Sequence, residues 1–225
     1  MFESRPELDK INPVSFWQWY NFCMLRHFTK NQLIILAINA ISVLSFGSYY
    51  LRELNYEFIA YAVSIILVIT ILYSTLYITK FPTYLLAGVT IWGILHMMGG
   101  SVQTADGVLY AYKIYPFFDG GGDFYVLKMD QLIHAYLYGV IGLMFFHLLR
   151  NVVGIKTHKI FIAVVAIFAA AGFSIINEIV EFWAAVNIPG NGVGGYENTV
   201  LDLIFNFSGA AIAVITYLVI KKDNV

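Results

Sequence analysis

Residues 160–186 read IFIAVVAIFAAAGFSIINEIVEFWAAV, an apolar stretch that contains two acidic side chains, Glu178 and Glu181, and no basic one. About 20 apolar residues are enough for a helix to cross the hydrocarbon core of a bilayer, so this stretch predicts a membrane-spanning helix. Residues at i and i+3 share one helix face, and carboxylates are costly inside a membrane. The two glutamates are therefore candidates for a functional site on one face of that helix.

The whole chain has the composition of a membrane protein. Of its 225 residues, 60% are hydrophobic and 12% are charged, and the mean hydropathy is +0.74. A soluble domain has about a quarter of its residues charged. We therefore expect an all-α, multi-pass helical bundle in the inner or plasma membrane, with about six transmembrane helices. The other predicted spans are Gln32–Tyr50, Phe58–Tyr77, Phe81–Met98, Gln131–Leu149 and Thr199–Ile220.

The basic residues predict how the bundle is oriented. With the N-terminus in the cytoplasm, three of the 13 Lys and Arg residues, Arg52, Lys113 and Lys128, lie outside and the other ten inside. Both termini are therefore predicted to be cytoplasmic. Residues 1–30 mix aromatic and charged side chains, which indicates an interfacial segment, and acidic residues come first where a cleavable signal would have basic ones. This segment precedes a transmembrane domain at 31–225.

The charge and the cysteine content exclude some classes. The formal net charge of −1 argues against nucleic acid as a partner, because nucleic-acid binding needs a basic surface. Membrane lipid is the expected partner. The single cysteine, Cys23, excludes an internal disulfide.

Two outer connections could cover a site at their end of the bundle. In the aromatic loop 99–130, a stretch rich in Tyr and Phe is followed by Asp119-Gly120-Gly121-Gly122-Asp123, which is typical of a hairpin or a re-entrant flap. The second connection, the loop 187–198, is rich in glycine. Either loop could act as a lid, and ordinary packing of an interfacial loop is equally compatible with these sequences.

Two further spans carry polar pairs at helical spacing. Asp130 and His134 open the fourth span, and Asp202 and Asn206 open the sixth. His96 lies near the end of the third span. The predicted orientation puts all of these residues, like Glu178 and Glu181, in the extracytoplasmic half, since Glu178 and Glu181 lie roughly 27 to 32 Å along their helix. We interpret them as one polar site.

The chemistry of these residues favours a divalent metal. The spans that hold the four carboxylates contain no Lys or Arg beside them, and buried carboxylates without partners recruit a cation or take up protons. Oxygen and imidazole ligands suit zinc, manganese or iron. We predict Glu178, Glu181 and Asp202 as catalytic residues, and Asn177 and Asn206 as residues that orient ligands. The predicted metal ligands are His96, Asp130, His134, Glu178, Glu181 and Asp202.

These predictions leave three functions open. A metal site facing outward could serve a hydrolase or transferase that acts on a lipid or lipid-linked envelope substrate. Transmembrane acids also mark proton- or cation-coupled transporters. The pairs could instead be packing contacts in a structural membrane protein. The sequence does not decide whether the protein is an enzyme.

The order of the polar residues resembles a known family. His96 with Gly99-Gly100, Asp130-x-x-x-His134, Glu178-x-x-Glu181-Phe182-Trp183 and Asp202 before Gly209-Ala210 are similar to the pattern of the uncharacterised YjdF-like inner-membrane proteins, over about residues 91–215. A more distant similarity, carried by Asp202-x-x-x-Asn206-x-x-Gly209-Ala210, is to VanZ-like membrane proteins. The resemblance implies a multispanning helical fold with the same polar positions. Where the YjdF-like pattern has a further acid, this chain has Asn198.

Overall fold

The computed structural model describes residues 28–122, 124–190 and 192–221. Within these ranges, six helices are long and apolar enough to cross a membrane, as predicted. The interfacial segment predicted for residues 1–30 lies outside the described residues except for its last three. A π-helical turn at Leu148–Val152 prolongs the fourth helix. The six helices are α1 (Lys30–Arg52), α2 (Tyr56–Thr79), α3 (Thr83–Ser101), α4 (Met129–His147), α5 (Lys159–Asn187) and α6 (Tyr196–Ile220).

Local signals explain where α2 begins and ends. The side chain of Asn55 accepts a hydrogen bond of 3.1 Å from the backbone N–H of Phe58, which caps the first turn. Lys80 ends the helix in the left-handed conformation with φ of 49°. Pro82 follows in an extended conformation and cannot continue α2, so it begins α3 instead.

The aromatic loop between α3 and α4 folds into two antiparallel hairpins. Strand β1 (Gln103–Thr104) pairs with β2 (Gly107–Val108), and β3 (Lys113–Asp119) pairs with β4 (Tyr125–Lys128). A 3₁₀ turn at Leu109–Ala111 joins them. Of the two structures that the sequence left open for this loop, the hairpin is the one observed. All seven residues of β3 are exposed, so this strand adds no side chain to the buried core.

The glycine-rich loop is shorter than the predicted range 187–198. Because α6 begins at Tyr196 and not at Thr199, Glu197 and Asn198 belong to the helix. An acidic residue in the first turn, here Glu197, interacts favourably with the helix N-terminus, which favours the earlier start. Asn198 consequently lies on the helix and not in the loop.

The apolar core consists of three clusters, and the polar residues form a separate cluster. One cluster, around Leu86, joins α1, α2, α3 and α4. A second, around Ala210, joins α4, α5 and α6, and a third, around Met97, joins α1, α2 and α3. Large apolar side chains such as Phe168 (64% exposed) and Phe182 (69% exposed) point away from the bundle, as expected of surfaces that face lipid. The polar residues occupy the end where α4 and α6 begin and α5 ends, which we call the site end.

Candidate functional site

Helices α4 and α6 run in the same direction and approach closely along a face of small residues. A Cβ added at Gly139 would lie 3.2 Å from the carbonyl oxygen of Gly209, and one added at Gly142 would lie 3.3 Å from the Cβ of Ala210. Small residues let membrane helices bring their backbones together. We call this contact of four residues the seam. Because α4 and α6 run in the same direction, the polar residues that precede the seam on each helix lie side by side.

His134 lies at the centre of the polar cluster. Its Nε2 is 3.5 Å from Oδ1 of Asp130 and 3.6 Å from Oε1 of Glu181. Asp130 comes from the preceding turn of α4, whereas Glu181 comes from α5, so the imidazole joins two helices. His134 is only 8% exposed, and its Nδ1 has no hydrogen-bond partner among the described residues. The sequence prediction that these three side chains lie together is correct.

Asp202 joins the two halves of the cluster. It is 0% exposed, and its Oδ2 accepts a hydrogen bond of 2.6 Å from Nδ2 of Asn198. Asp202 belongs to two groups of side chains whose ligand atoms lie within 4.8 Å of one another. The first group adds Asp130 and His134, and the second adds Glu178 and Glu181. Over the ranges that the structure describes, the Oδ1 atom of Asp202 has no hydrogen-bond partner.

Two asparagines contact the glutamates of α5. Nδ2 of Asn177 donates a hydrogen bond of 2.6 Å to Oε1 of Glu181, and Nδ2 of Asn206 donates one of 3.4 Å to Oε1 of Glu178. Both asparagines therefore contact the carboxylates that they are predicted to orient. Their effect on ligand binding stays a prediction.

Sequence reasoning missed Asn198 as a member of the site. Its Nδ2 contacts Asp202 and also lies 3.4 Å from Oδ2 of Asp130, while its Oδ1 accepts a hydrogen bond of 2.6 Å from Nζ of Lys128. Asn198 thus links the nearest lysine to two carboxylates. The signal was present in the sequence, because Asn198 precedes Asp202 by one helical turn and the two share a face.

Gln131 was missed as well, and it holds the chain that enters α4. The side chain is 0% exposed, and its Oε1 accepts hydrogen bonds from the backbone N–H groups of Leu127, at 2.7 Å, and Lys128, at 3.1 Å. Its Nε2 donates a hydrogen bond of 2.9 Å to the carbonyl oxygen of Tyr125. Leu127 has φ of 82°, an unfavourable value for a leucine, and the bonds to Gln131 stabilise it there. Gln131 therefore positions Lys128 at the mouth of the site.

A cavity of about 360 Å³ lies beside the cluster. Asp130, His134, Glu181 and His96 line it, as expected from the sequence, but Glu178 and Asp202 do not. Four of the six residues predicted as metal ligands therefore line this cavity, and two do not. Of the two acids that do not line it, Asp202 is fully buried and Glu178 is grouped with Glu181 and Asp202.

The other walls of the cavity come from α2 and from both outer loops. Glu57 of α2 accepts a hydrogen bond of 2.8 Å from the backbone N–H of Gly192, which ties the glycine-rich loop to α2. Tyr61 of α2 lines the cavity beside it. The aromatic loop contributes Lys113 and Lys128, so the cavity has two lysines as well as its acids. Both loops contact the cavity, as the sequence suggested.

His96 lines the cavity but stands apart from the carboxylate groups. Its Nδ1 is hydrogen-bonded to the hydroxyl of Tyr110, and its ring lies 5.2 Å, centroid to centroid, from the rings of Tyr61 and Trp92. Burial raises the pKa of the Tyr110 hydroxyl well above its ordinary value, so the hydroxyl stays protonated. Because His96 is not in either group of ligand atoms, its role as a metal ligand stays a prediction.

Within the described ranges, six apolar helices and a partly buried cluster of carboxylates define a multi-pass helical membrane protein. A family model described as "Predicted membrane protein (DUF2238)" matches residues 31–223, and the chain belongs to this family. DUF2238 is the YjdF family, so the resemblance to YjdF-like proteins is confirmed, whereas the similarity to VanZ-like proteins is not supported. No curated protein and no solved structure matches the chain.

Proposed function

We propose that the cluster binds a divalent cation, either zinc, manganese or iron, and that the protein is a hydrolase or transferase acting on a lipid or lipid-linked envelope substrate. One observation carries this proposal. The buried Oδ1 of Asp202 has no hydrogen-bond partner in the described part of the chain, although ligand atoms of four other acidic or histidine side chains lie close to Asp202. A buried carboxylate oxygen is costly to leave unpaired, and a cation offsets that cost.

The set of donors and the local charge both fit such a cation. Carboxylate oxygens with one imidazole nitrogen suit zinc, manganese and iron, whereas magnesium and calcium prefer oxygen alone. The cluster has four carboxylates, and the nearest lysine, Lys128, reaches it through the amide of Asn198. A divalent cation would neutralise part of this excess negative charge.

The position of each acid suggests its task. A cation bound here would supply a Lewis acid that can lower the pKa of a water molecule. Glu181 lines the cavity and is held by Asn177, so it can accept a proton from a group bound in the cavity, and it is our candidate general base. Glu178 and Asp202, predicted from the sequence as catalytic residues, do not line the cavity. We therefore assign them to cation binding and not to contact with the substrate.

The cavity supports an amphipathic substrate. A volume of about 360 Å³ is in the range of small-molecule sites, which is about 300–1,000 Å³. Its lining combines the lysines Lys113 and Lys128 with the apolar ring of Phe58. The lysines would attract an anionic headgroup, such as a phosphate, while the acyl chains of the same molecule stay in the membrane beside the helices.

Metal analysis of the purified protein tests the proposal. Protein extracted in mild detergent should contain about one equivalent of divalent metal, and metal removed by a chelator should be regained on titration. Asp202→Asn and Glu178→Gln should lose this metal. The matched control is Glu197→Gln, which makes the same chemical change at an exposed position of α6 and should retain it. Wild-type protein that contains no divalent metal and regains none would refute the proposal.

The two alternatives make different predictions for the same variants. A proton- or cation-coupled transporter should lose ion-dependent uptake in vesicles when Glu178 is replaced by Gln. Many transporters place their sites on broken helices, whereas α5 is continuous over Lys159–Asn187, which supports the enzyme. If the polar pairs serve packing alone, Glu178→Gln and Asp202→Asn should change stability and neither metal content nor flux.

A further inference from the structure

A second cavity lies at the opposite end of α4 from the carboxylate cluster. Its volume is about 120 Å³, and we call it the inner pocket. Helix α4 rises about 1.5 Å per residue, so His147 and Arg150 lie roughly 20 to 25 Å from His134. The polar side chains that line the inner pocket are Tyr84, His147, Arg150, Asn151 and Tyr217. This cavity is separate from the site described above.

The inner pocket is rich in hydrogen-bond donors and lacks acids. Arg150 brings a guanidinium, Asn151 an amide, and Tyr84 and Tyr217 a hydroxyl each. No acidic side chain lines it in the described part of the chain. The Nη1 atom of Arg150 is buried and has no hydrogen-bond partner among the described residues. A buried guanidinium nitrogen without an acceptor is costly, which indicates that an anion is the missing partner.

Two features hold the donors in place. The π-helical turn Leu148–Val152 carries Arg150 and Asn151 on a widened stretch of helix, and π-helical turns are frequent at functional sites. Nε2 of His147 is 3.0 Å from the carbonyl oxygen of Thr79, which can only accept, so Nε2 is the protonated nitrogen. Nδ1 of His147 then accepts a hydrogen bond of 2.9 Å from Nδ2 of Asn151. The histidine therefore orients the asparagine.

We propose that the inner pocket binds a phosphate group through Arg150, Asn151 and the two tyrosine hydroxyls. The planar guanidinium of arginine matches the oxygens of a phosphate better than any other side chain does. Lys80 and Lys156 are exposed at the same end of the bundle, which is the predicted cytoplasmic side. Basic residues on that side attract the anionic lipids of the adjacent leaflet. The phosphate can belong to a phospholipid headgroup or be free inorganic phosphate.

The test uses the full chain in micelles of a maltoside detergent, which contains no phosphate, and distinguishes the two sources. One arm titrates inorganic phosphate, and the other titrates phosphatidylglycerol without added phosphate. Each arm measures the shift in thermal unfolding, and native mass spectrometry of protein released from the second counts retained phosphatidylglycerol. The thermal unfolding of the wild-type protein should shift in at least one arm. The arm in which it shifts identifies the source of the phosphate.

Matched variants keep the test specific. Arg150→Gln should weaken binding by about tenfold or more, because a charge-assisted hydrogen bond is lost. Lys156→Gln removes the same charge from an exposed position at the same end and should bind as wild type. If Arg150→Gln does not fold, Arg150→Lys keeps the charge without the planar fork and should still bind several-fold more weakly. Asp202→Asn should leave this binding unchanged. A wild-type protein that responds in neither arm, or an Arg150→Lys variant that binds as wild type, would overturn the inference.

Discussion

Replacing Gly209 by alanine should push α4 and α6 apart at the seam. An ideal Cβ on Gly209 would lie 2.6 Å from both Cα and the carbonyl carbon of Ala135 on α4. Non-bonded carbons pack at about 3.5–4.0 Å, so the helices would have to separate by about 1 Å. The atoms that the new methyl meets belong to the backbone and cannot rotate away as a flexible side chain could.

The expected loss of stability follows from two opposing effects. Overpacking a close contact costs about 1–3 kcal/mol. Alanine gains about 0.5–1 kcal/mol over glycine within a helix. The difference is a net loss of up to about 2.5 kcal/mol for Gly209→Ala. Gly139→Ala should lose less, because its Cβ would be 3.2 Å from the carbonyl oxygen of Gly209 and needs only a small adjustment.

Gly172 provides the matched control. It is exposed on α5, and a Cβ added there would meet nothing within 4 Å, so Gly172→Ala should be neutral or slightly stabilising. Equilibrium unfolding in mixed micelles, at one detergent composition, would compare the free energies of unfolding of the three variants and the wild type. Gly209→Ala should also bind metal more weakly, since the seam sets the distance between the acids of α4 and α6. If Gly209→Ala were as stable as Gly172→Ala, the close contact at the seam would be refuted.

Three further substitutions test residues around the site. Gln131→Leu should destabilise the protein by about 1–3 kcal/mol in the same unfolding assay, because two backbone N–H groups lose their acceptor; unchanged stability would contradict its positioning role. Tyr110→Phe should lower stability by about 0.5–1.5 kcal/mol, since Nδ1 of His96 loses its hydrogen-bond partner; a change in nitrogen chemical shift of that ring would report the loss directly, and an unaltered shift would count against the contact. Asn177→Leu should weaken metal affinity by about 10–100-fold, because Glu181 would no longer be oriented; an affinity equal to that of wild type would remove Asn177 from the site.

The helices could be predicted because each one appears in the sequence as an apolar run. The stretch Ile160–Val186 is apolar along its whole length, and α5 extends from Lys159 to Asn187. The start of α6 was predicted too late, because Asn198 and Glu197 are polar and were assigned to the loop. Polarity alone does not distinguish a loop from the first turn of a helix whose polar face is buried against other helices.

From the sequence, the residues of the site could be predicted, but the contacts between them could not. Spacing identified the acids and His134, because each pair lies on one face of one helix. Spacing did not identify Gln131, whose partners are backbone groups of the preceding strand. It also did not separate His96, which is hydrogen-bonded to Tyr110, from the other candidate ligands. Both distinctions depend on contacts made by the loop between α3 and α4.

The sequence by itself determined the membrane class, the six spans and the polar positions, because the length of an apolar run and the cost of a buried charge act on each helix separately. The tertiary structure decided which of those polar groups meet. Glu181 lines the cavity and Asp202 does not, and both lie within reach of one cluster. The meeting of Asp130 with Asp202 depends on the register of α4 against α6, which the glycines of the seam set through contacts between two helices, and no single helix contains that information.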